Sequence, residues 1–498
     1  MELDHDAYYR AFQLRDARFD GRVFAGVKTT GIYCRPVCPA RTPKSTSITF
    51  FPSAAGAQAA GFRPCLRCRP EASPDLGAWR GTSNTVARAL AMIEAGAMDA
   101  GDVEALADRL GVGERQLRRL FAKHIGASPV AVAQTRRVLL AKQLIVETRL
   151  PMTDVALAAG FGSVRRFNET FRQLFDRPPA TLRHRDAEDL NLGGAAITLK
   201  LAYKPPYDWG AMATFLQARA VAAVETASAR RYARTFSIDG RTGAVRVEPG
   251  EGAFLQVTVS CPDLGVLPLL IARVRRVFDL SIDPAVVGAH LSEDPRLAAL
   301  VARRPGLRAP GAWDGFEIAV RAVLGQQVTV RAARTLAGRL VQAFGEPLSV
   351  APSEVENLTH VFPGPARLVN ADIGAIGMPR ARAASINRLA AAALDNPMLF
   401  EPRGGLDEAI AVLRRLPGIG DWTAHYIALR ALREPDAFPA ADVALMRSMA
   451  GPDGSRPTAA ELEARAERWR PWRAYAAQHL WAADADPKVR DDNHANTA

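Results

Sequence analysis

Lysine almost vanishes from the longer, C-terminal part of this 498-residue chain: after Lys204 the next is Lys488, and arginine carries the positive charge between them. Chemistry that needs a lysine amine, a Schiff base above all, is thereby excluded from that region. Long hydrophobic runs are missing too. No stretch of about 18 apolar residues occurs, which leaves no candidate membrane span. The opening "MELDHDAYYR" lacks the apolar core of a secretory signal. The expectation is a cytoplasmic protein with no membrane partner. Cysteine is scarce, five residues in all. Disulfides are rare in the cytoplasm, so cysteines that cluster there point to metal or thiol chemistry.

What is present is ordinary in bulk: 48% hydrophobic and 23% charged residues, in a length that suggests about three domains. The formal charge of +12 is unevenly spread. Residues 1–186 hold 28 Lys+Arg against 18 Asp+Glu, which leaves 36 against 34 for residues 187–498. Most of the positive field therefore lies in the first third, which suits a polyanion such as DNA.

Four of the five cysteines form two tight pairs, "TTGIYCRPVC" with Cys34 and Cys38, and "FRPCLRC" with Cys65 and Cys68. Four thiolates from two short loops match one closed tetrahedral zinc site. Spacing alone favours a purely structural zinc ribbon. A zinc-bound thiolate nonetheless remains a nucleophile. The stretch "FAGVKTTGIYCRPVCPAR" with "AAGFRPCLRCRP" resembles the N-terminal domain of the Ada family of alkylation-damage proteins. That resemblance implies one bound zinc ion and a methyl-accepting cysteine at Cys34, which takes the methyl group of a DNA methylphosphotriester in a single turnover. It also implies phosphate contacts from Arg35, Arg41, Arg63, Arg67 and Arg69.

Residues 103–126 read as a helix-turn-helix. Leu106, Ala107 and Leu110 form one apolar face, Gly111 breaks the helix, and Glu114 opens a second one buried through Leu117, Leu120 and Phe121. Arg115, Arg118 and Arg119 are left facing outward. A second copy covers residues 152–179. Gly160 forms its turn, Ser163 its cap, and Phe167, Phe171 and Leu174 its buried face, with Arg165, Arg166 and Asn168 outward. The pair, with its "AAGFGS" and "RRFNETFRQLFDRPP" segments, resembles the AraC family of transcription activators. Double-stranded promoter DNA and RNA polymerase are the partners this implies.

The full-length Ada pattern adds a methyltransferase with a Pro-Cys-His-Arg motif, and that motif is absent; Cys261, in "VSCPDLG", reads as a packed thiol. Instead, "LPGIGDWTAHYIALR" reads as a helix-hairpin-helix, whose Gly418 and Gly420 would let backbone N–H groups approach a phosphate. Asp442 follows in "FPAADVALMRSM", where its plain reading is a helix N-cap. Together with "KPPYDWGAMATFLQARAVAAVETA" and "RWRPWRAYAAQHLW", these segments resemble AlkA-type 3-methyladenine DNA glycosylases over residues 197–481. The resemblance implies a catalytic Asp442, an aromatic base pocket of Trp422, Tyr426, Trp481 and Phe215, and DNA contacts from Gly418, Gly420, Thr423 and Gln327. Two positions depart from the pattern. Gln327 stands where an apolar leucine wedge is expected, and Ala482 stands where a tyrosine can follow the last pocket tryptophan. Asp421-Trp422 occupies the hairpin position where bifunctional relatives carry a lysine.

The expected fold class is multidomain α+β. A small zinc-bound α/β domain (1–75) precedes an all-α double helix-turn-helix domain (83–186) and a linker (187–194). A mixed α/β subdomain (195–285) and a helix-hairpin-helix glycosylase bundle (286–486) follow. The expected function is an adaptive response to DNA alkylation: a methylphosphotriester-sensing activator fused to a monofunctional glycosylase, acting as a monomer with no organic cofactor. Gln327 favours an alternative, a regulator whose glycosylase-like domain binds DNA without cutting.

Overall fold

Helix α1 (His5–Gln13) opens the chain, capped by Asp4, whose carboxylate accepts from Asp6 N and Ala7 N. Strands β1 (Phe24–Val27), β2 (Ile32–Cys34), β3 (Ile48–Phe51) and β4 (Arg63–Pro64) form a sheet in the order β3-β1-β2-β4, with α2 (Ala54–Ala59) inserted before β4. The β1–β2 hairpin turns at Gly31, whose φ of +65° suits glycine. The computed structural model describes residues 4–74, 84–183, 196–348, 357–401, 405–451 and 453–485. The linker expected at 187–194 lies outside the described residues.

Six helices follow: α3 (Asn84–Glu94), α4 (Val103–Arg109), α5 (Glu114–Ile125), α6 (Pro129–Glu147), α7 (Met152–Ala158) and α8 (Val164–Phe175). Gly111 and Gly160 take φ of +68° and +85° at the two turns, where a side chain would be strained. Ser163 caps α8 by accepting from Arg166 N. Phe167 and Phe171 are fully buried, each contributing about 1.5–3 kcal/mol of burial free energy. Leu174 is only half-buried, and Phe175 takes the inward place expected for it. Helix α6 joins the two helix-turn-helix copies. Its 19 residues make a rod of about 28 Å at 1.5 Å per residue.

Strand β5 (Ala196–Ala202) comes next, then α9 (Trp209–Arg219), β6 (Glu225–Ala227), β7 (Tyr232–Ile238), β8 (Arg241–Pro249), β9 (Phe254–Ser260) and α10 (Leu267–Val277). Helices α11 (Pro284–Leu291), α12 (Pro295–Arg303), α13 (Gly315–Leu324) and α14 (Val330–Phe344) follow. The short pair β10 (Glu346–Pro347) and β11 (His360–Val361) interrupts a region expected to be helical throughout. Helices α15 (Pro365–Leu368), α16 (Arg380–Asp395), α17 (Leu406–Arg414), α18 (Asp421–Ile427), α19 (Val443–Ser448), α20 (Ala459–Ala466) and α21 (Arg473–Asp484) are the last among the described residues. A π-helical turn, Ala428–Leu432, runs on directly from α18.

Contacts divide the chain into two compact units. The first runs to Tyr203 and includes residues 249–275 and 280–282. Within it β5 pairs antiparallel with β9, from Ala196↔Ser260 to Ala202↔Phe254. The second holds residues 204–248, 276–279 and the described residues from Asp283 onward. Its core packs α13, α16 and α18 through Val320, Val323, Ile386, Leu389, Ala424 and Ile427, all essentially inaccessible. Cys261 is buried, and its thiol donates to Asp263 O. Among the described residues no helix is long and apolar enough to cross a membrane.

Candidate metal centre and candidate base pocket

Parallel pairing of β2 with β4 (Ile32↔Arg63, Tyr33↔Pro64) brings the two cysteine loops together, and Cys65 N donates to Tyr33 O. The four Sγ atoms of Cys34, Cys38, Cys65 and Cys68 lie within 4.8 Å of one another. A tetrahedral zinc site with Zn–S near 2.3 Å needs sulfurs about 3.8 Å apart, so the quartet fits one ion with little adjustment. Backbone N–H groups of Arg35 and Arg67 point at the sulfurs of Cys68 and Cys65, which favours thiolates. Three of the four cysteines are buried, and Cys34 alone is half-buried.

The arginines around this centre divide into two groups. Arg41 and Arg67 are exposed. Arg35 is not available as expected: its guanidinium pairs with Asp20 and donates to Cys68 O and Arg69 O, with 11% of the side chain exposed. It braces the metal loops instead. Arg69 is tied to Glu71 and Glu147. Sequence reasoning missed Lys142 of α6, fully buried, whose ammonium donates to Cys65 O (3.0 Å) and Glu71 (2.7 Å). On the helix-turn-helix copies, Arg115, Arg118, Arg119, Arg165 and Arg166 are exposed and Asn168 half-exposed. Arg118 and Arg165 rest on Glu114 and Glu169 one turn away.

In the second unit, Asp442 caps α19. Its Oδ1 accepts from Ala444 N (2.9 Å) and Leu445 N (3.1 Å). The same carboxylate is gripped by two indoles: Trp422 Nε1 donates to Oδ2 at 2.8 Å and Trp481 Nε1 to Oδ1 at 3.0 Å. The cap and the pocket carboxylate are therefore one residue. Trp422 stacks on Tyr426 (5.2 Å, 8°), and Tyr426 meets Trp481 edge-on at 6.5 Å. With Phe215 of α9 and Ala482, these groups line a cavity of about 1150 Å³, roomy enough for a purine and part of its sugar. Phe215, Trp422, Asp442 and Trp481 are far apart in the sequence, and the fold brings them to one cavity.

Two features of the wall were not foreseen. Arg430 lies against the rings of Phe215, Trp481 and Tyr426. Glu225, Glu317, Arg234 and Arg321 form a compensated buried cluster, with Arg234 2.7 Å from Glu317 and Arg321 3.0 Å from Glu225. Burial alone would raise the Glu225 carboxyl, but Arg321 and Arg234 hold it below its usual range. Burial would likewise raise Tyr426, and Arg430, Arg219 and Arg321 overcome it to lower the phenol. Only the spacing of charge with aromatics within "TAHYIALR" hinted at Arg430.

The hairpin turn is exposed at Gly418 (φ +89°), where a Cβ would collide with Ser385, and at Gly420, which starts α18 without a side-chain cap. Thr423 is buried instead of facing outward, and its hydroxyl accepts from Gln326 Nε2, which also bonds Gly418 O (2.8 Å). Gln327, next in the chain, is exposed in a left-handed conformation (φ +55°) between α13 and α14.

Four family models match in chain order: "Metal binding domain of Ada" over residues 7–71, "Helix-turn-helix domain" over 106–185, "AlkA N-terminal domain" over 198–314 and "HhH-GPD superfamily base excision DNA repair protein" over 320–474. The fold resembles the 3-methyladenine DNA glycosylase structure from Archaeoglobus fulgidus, with a TM-score of 0.51 at 23% identity, over 57% of this chain and 98% of that one. An Escherichia coli K12 protein named DNA-3-methyladenine glycosylase 2 is 39% identical, over 56% of this chain and 95% of its own length. A Mycobacterium tuberculosis protein, described as a probable bifunctional transcriptional activator/DNA repair enzyme AlkA, is 41% identical over 490 residues, 98% of each chain. A likeness that spans all four segments at that identity leaves one conclusion: the chain belongs to the family of bifunctional activator/DNA repair proteins that this mycobacterial relative represents.

Proposed function

We propose that the chain serves the adaptive response to DNA alkylation, as a methylphosphotriester-sensing transcriptional activator fused to a monofunctional glycosylase for alkylated purines such as 3-methyladenine. One observation carries the enzymatic half: the Asp442 carboxylate opens onto an aromatic cavity and is held there by the indole N–H groups of two of its walls. The relatives named as glycosylase and activator/repair enzyme support the same reading.

The chemistry can be built from the residues. An alkylated purine leaves the stack and enters the cavity between Trp422, Tyr426, Trp481 and Phe215. The bond from the anomeric carbon to the base nitrogen breaks, and its electron pair goes to the base. A base already carrying positive charge departs neutral, so protonation by an acid is unnecessary. Positive charge grows on the sugar, and the Asp442 carboxylate stabilises it and orients the water that adds, whose proton is released to solvent. Lysine is absent between Lys204 and Lys488, so no Schiff base forms in this domain and an abasic site is the product.

In the sensing half, Cys34, Cys38, Cys65 and Cys68 would hold the zinc ion, which keeps the sulfurs deprotonated at neutral pH. Cys34, the half-buried member of the quartet, attacks the methyl carbon; the methyl–oxygen bond breaks and a phosphodiester anion leaves. One negative charge disappears from the protein, and repulsion from DNA phosphate falls with it. Arg41, Arg67, Arg115, Arg118, Arg119, Arg165, Arg166 and Asn168 are the proposed DNA contacts on this half. Gly418, Gly420 and Gln327 serve the glycosylase. The helix-turn-helix pair reads successive major-groove segments and recruits RNA polymerase. We assign these roles to segments 1–75, 83–186, 195–285 and 286–486 of a monomeric cytoplasmic protein. Gln327 at the wedge position supports the second reading, a regulator with a non-cutting domain. Base release from methylated duplex DNA decides between them: release establishes the glycosylase, and none from folded, zinc-loaded protein leaves a regulator.

A further inference from the structure

One cation of the base pocket, Arg430, makes its hydrogen bonds to neutral groups and to no acidic side chain among the described residues. Arg430 sits in the π-helical turn after α18 and is 3% exposed. Its Nη1 donates to Pro310 O (2.7 Å) and its Nη2 to Gln478 Oε1 (3.1 Å), while its Nε has no hydrogen-bond partner among the described residues. Both acceptors are neutral. By contrast Arg234 and Arg321 are matched by Glu225 and Glu317, and Arg433 by Asp279. The Arg430 guanidinium lies 4.8 Å from the ring centre of Phe215, 5.2 Å from Trp481 and 5.5 Å from Tyr426. Burial, with Arg219 and Arg433 adding to it, pushes its pKa down to about 10 against the pull of Tyr426, so it stays protonated at neutral pH.

We propose that Arg430 is a specificity-determining residue, a fixed cation against the aromatic walls that weakens their hold on a positively charged base and favours the departure of an uncharged one. The inference rests on the glycosylase reading. A ring that already faces a cation has less attraction to offer a second on its other face. A base stacked across such a ring stands on the order of 8 Å from the guanidinium, where two unit charges at an effective dielectric near 20 change affinity by about 30-fold. An uncharged purine meets the opposite effect. When its glycosidic bond breaks, the electron pair leaves it an anion, and a buried cation lowers that cost. Water then adds to the sugar cation, and the proton it gives up neutralises the base.

The test compares single-turnover release of 7-methylguanine, a cationic base, and ethenoadenine, an uncharged one, from matched duplexes. The full-length wild type, Arg430→Met, Arg430→Gln and Arg430→Lys are measured, with circular dichroism as the folding control. The expected result is a rise of about tenfold or more in the ratio of 7-methylguanine to ethenoadenine release for Met and Gln, and a near wild-type ratio for Lys. An equal fall in both rates overturns the proposal, because it marks Arg430 as wall packing alone. Wild-type protein that releases 7-methylguanine and no ethenoadenine also overturns it, without reliance on any variant's folding. Release of neither base overturns the glycosylase reading instead.

Discussion

Asp442→Asn removes one charge while nearly preserving shape, and the surroundings of the carboxylate set the size of the effect. A carboxylate about 4 Å from a developing sugar cation, at an effective dielectric near 20, stabilises it by about 4 kcal/mol, so the variant should release 7-methylguanine about a thousandfold more slowly. The hydrogen bonds add a second expectation. With the amide oxygen kept toward Ala444 N, Leu445 N and Trp481 Nε1, the amide nitrogen faces the Trp422 N–H; flipped, it faces the other three donors. Either rotamer leaves an indole N–H without an acceptor, at a cost of about 1–3 kcal/mol. Asparagine is as good a helix cap as aspartate, so α19 itself should persist. Single-turnover release from a methylated duplex, paired with urea unfolding of the same preparations, measures both effects. A folded Asp442→Asn protein that releases base within a few-fold of wild type would refute the catalytic assignment.

Trp422→Phe keeps the stack on Tyr426 but removes a charge-assisted bond to Asp442; release should slow about tenfold with KM little changed, in steady-state kinetics. Borohydride added during turnover should trap no protein–DNA adduct, and the abasic product should remain unnicked on a denaturing gel. Exposure to DNA carrying methylphosphotriesters should add about 14 Da to the Cys34 peptide, one methyl replacing one proton, and Cys34→Ser should show no gain by mass spectrometry. Burial, helped by Arg304, pushes His479 down to about 4 from a reference of 6.5. Its folded-state pKa is depressed, so its contribution is complete above pH 6.5 and is lost as pH falls toward 4, about 3 kcal/mol over that window. His479→Gln should flatten the acid limb of stability in urea titrations over that range.

Local signals made much of this molecule legible. The cysteine quartet announces its ligands by spacing, and each helix-turn-helix announces its turn by a glycine that the backbone needs at positive φ. Ser163 and Asp442 were readable as caps because capping is a contact with the next few residues. What failed depended on partners distant in the chain. Arg35 reads as a phosphate contact until Asp20, on another loop, claims its guanidinium. Thr423 faces inward because Gln326, nearly a hundred residues earlier, needs its hydroxyl. Arg430 was hidden for a local reason instead: its π-helical turn changes the face on which a residue lands, so a 3.6-residue period misplaces it.

The double grip on Asp442 has a consequence for how such a site can change. The two indoles that select the base also hold the carboxylate that releases it. Substitution at either tryptophan therefore alters rate and selectivity together, and a variant that improves one is constrained by the other. Phe215 of α9 also lines the cavity, and its side chain has no hydrogen bond to offer the carboxylate. Substrate range is free to drift on that side while the chemistry stays fixed, which makes α9 the direction in which new lesions are most accessible to selection or design.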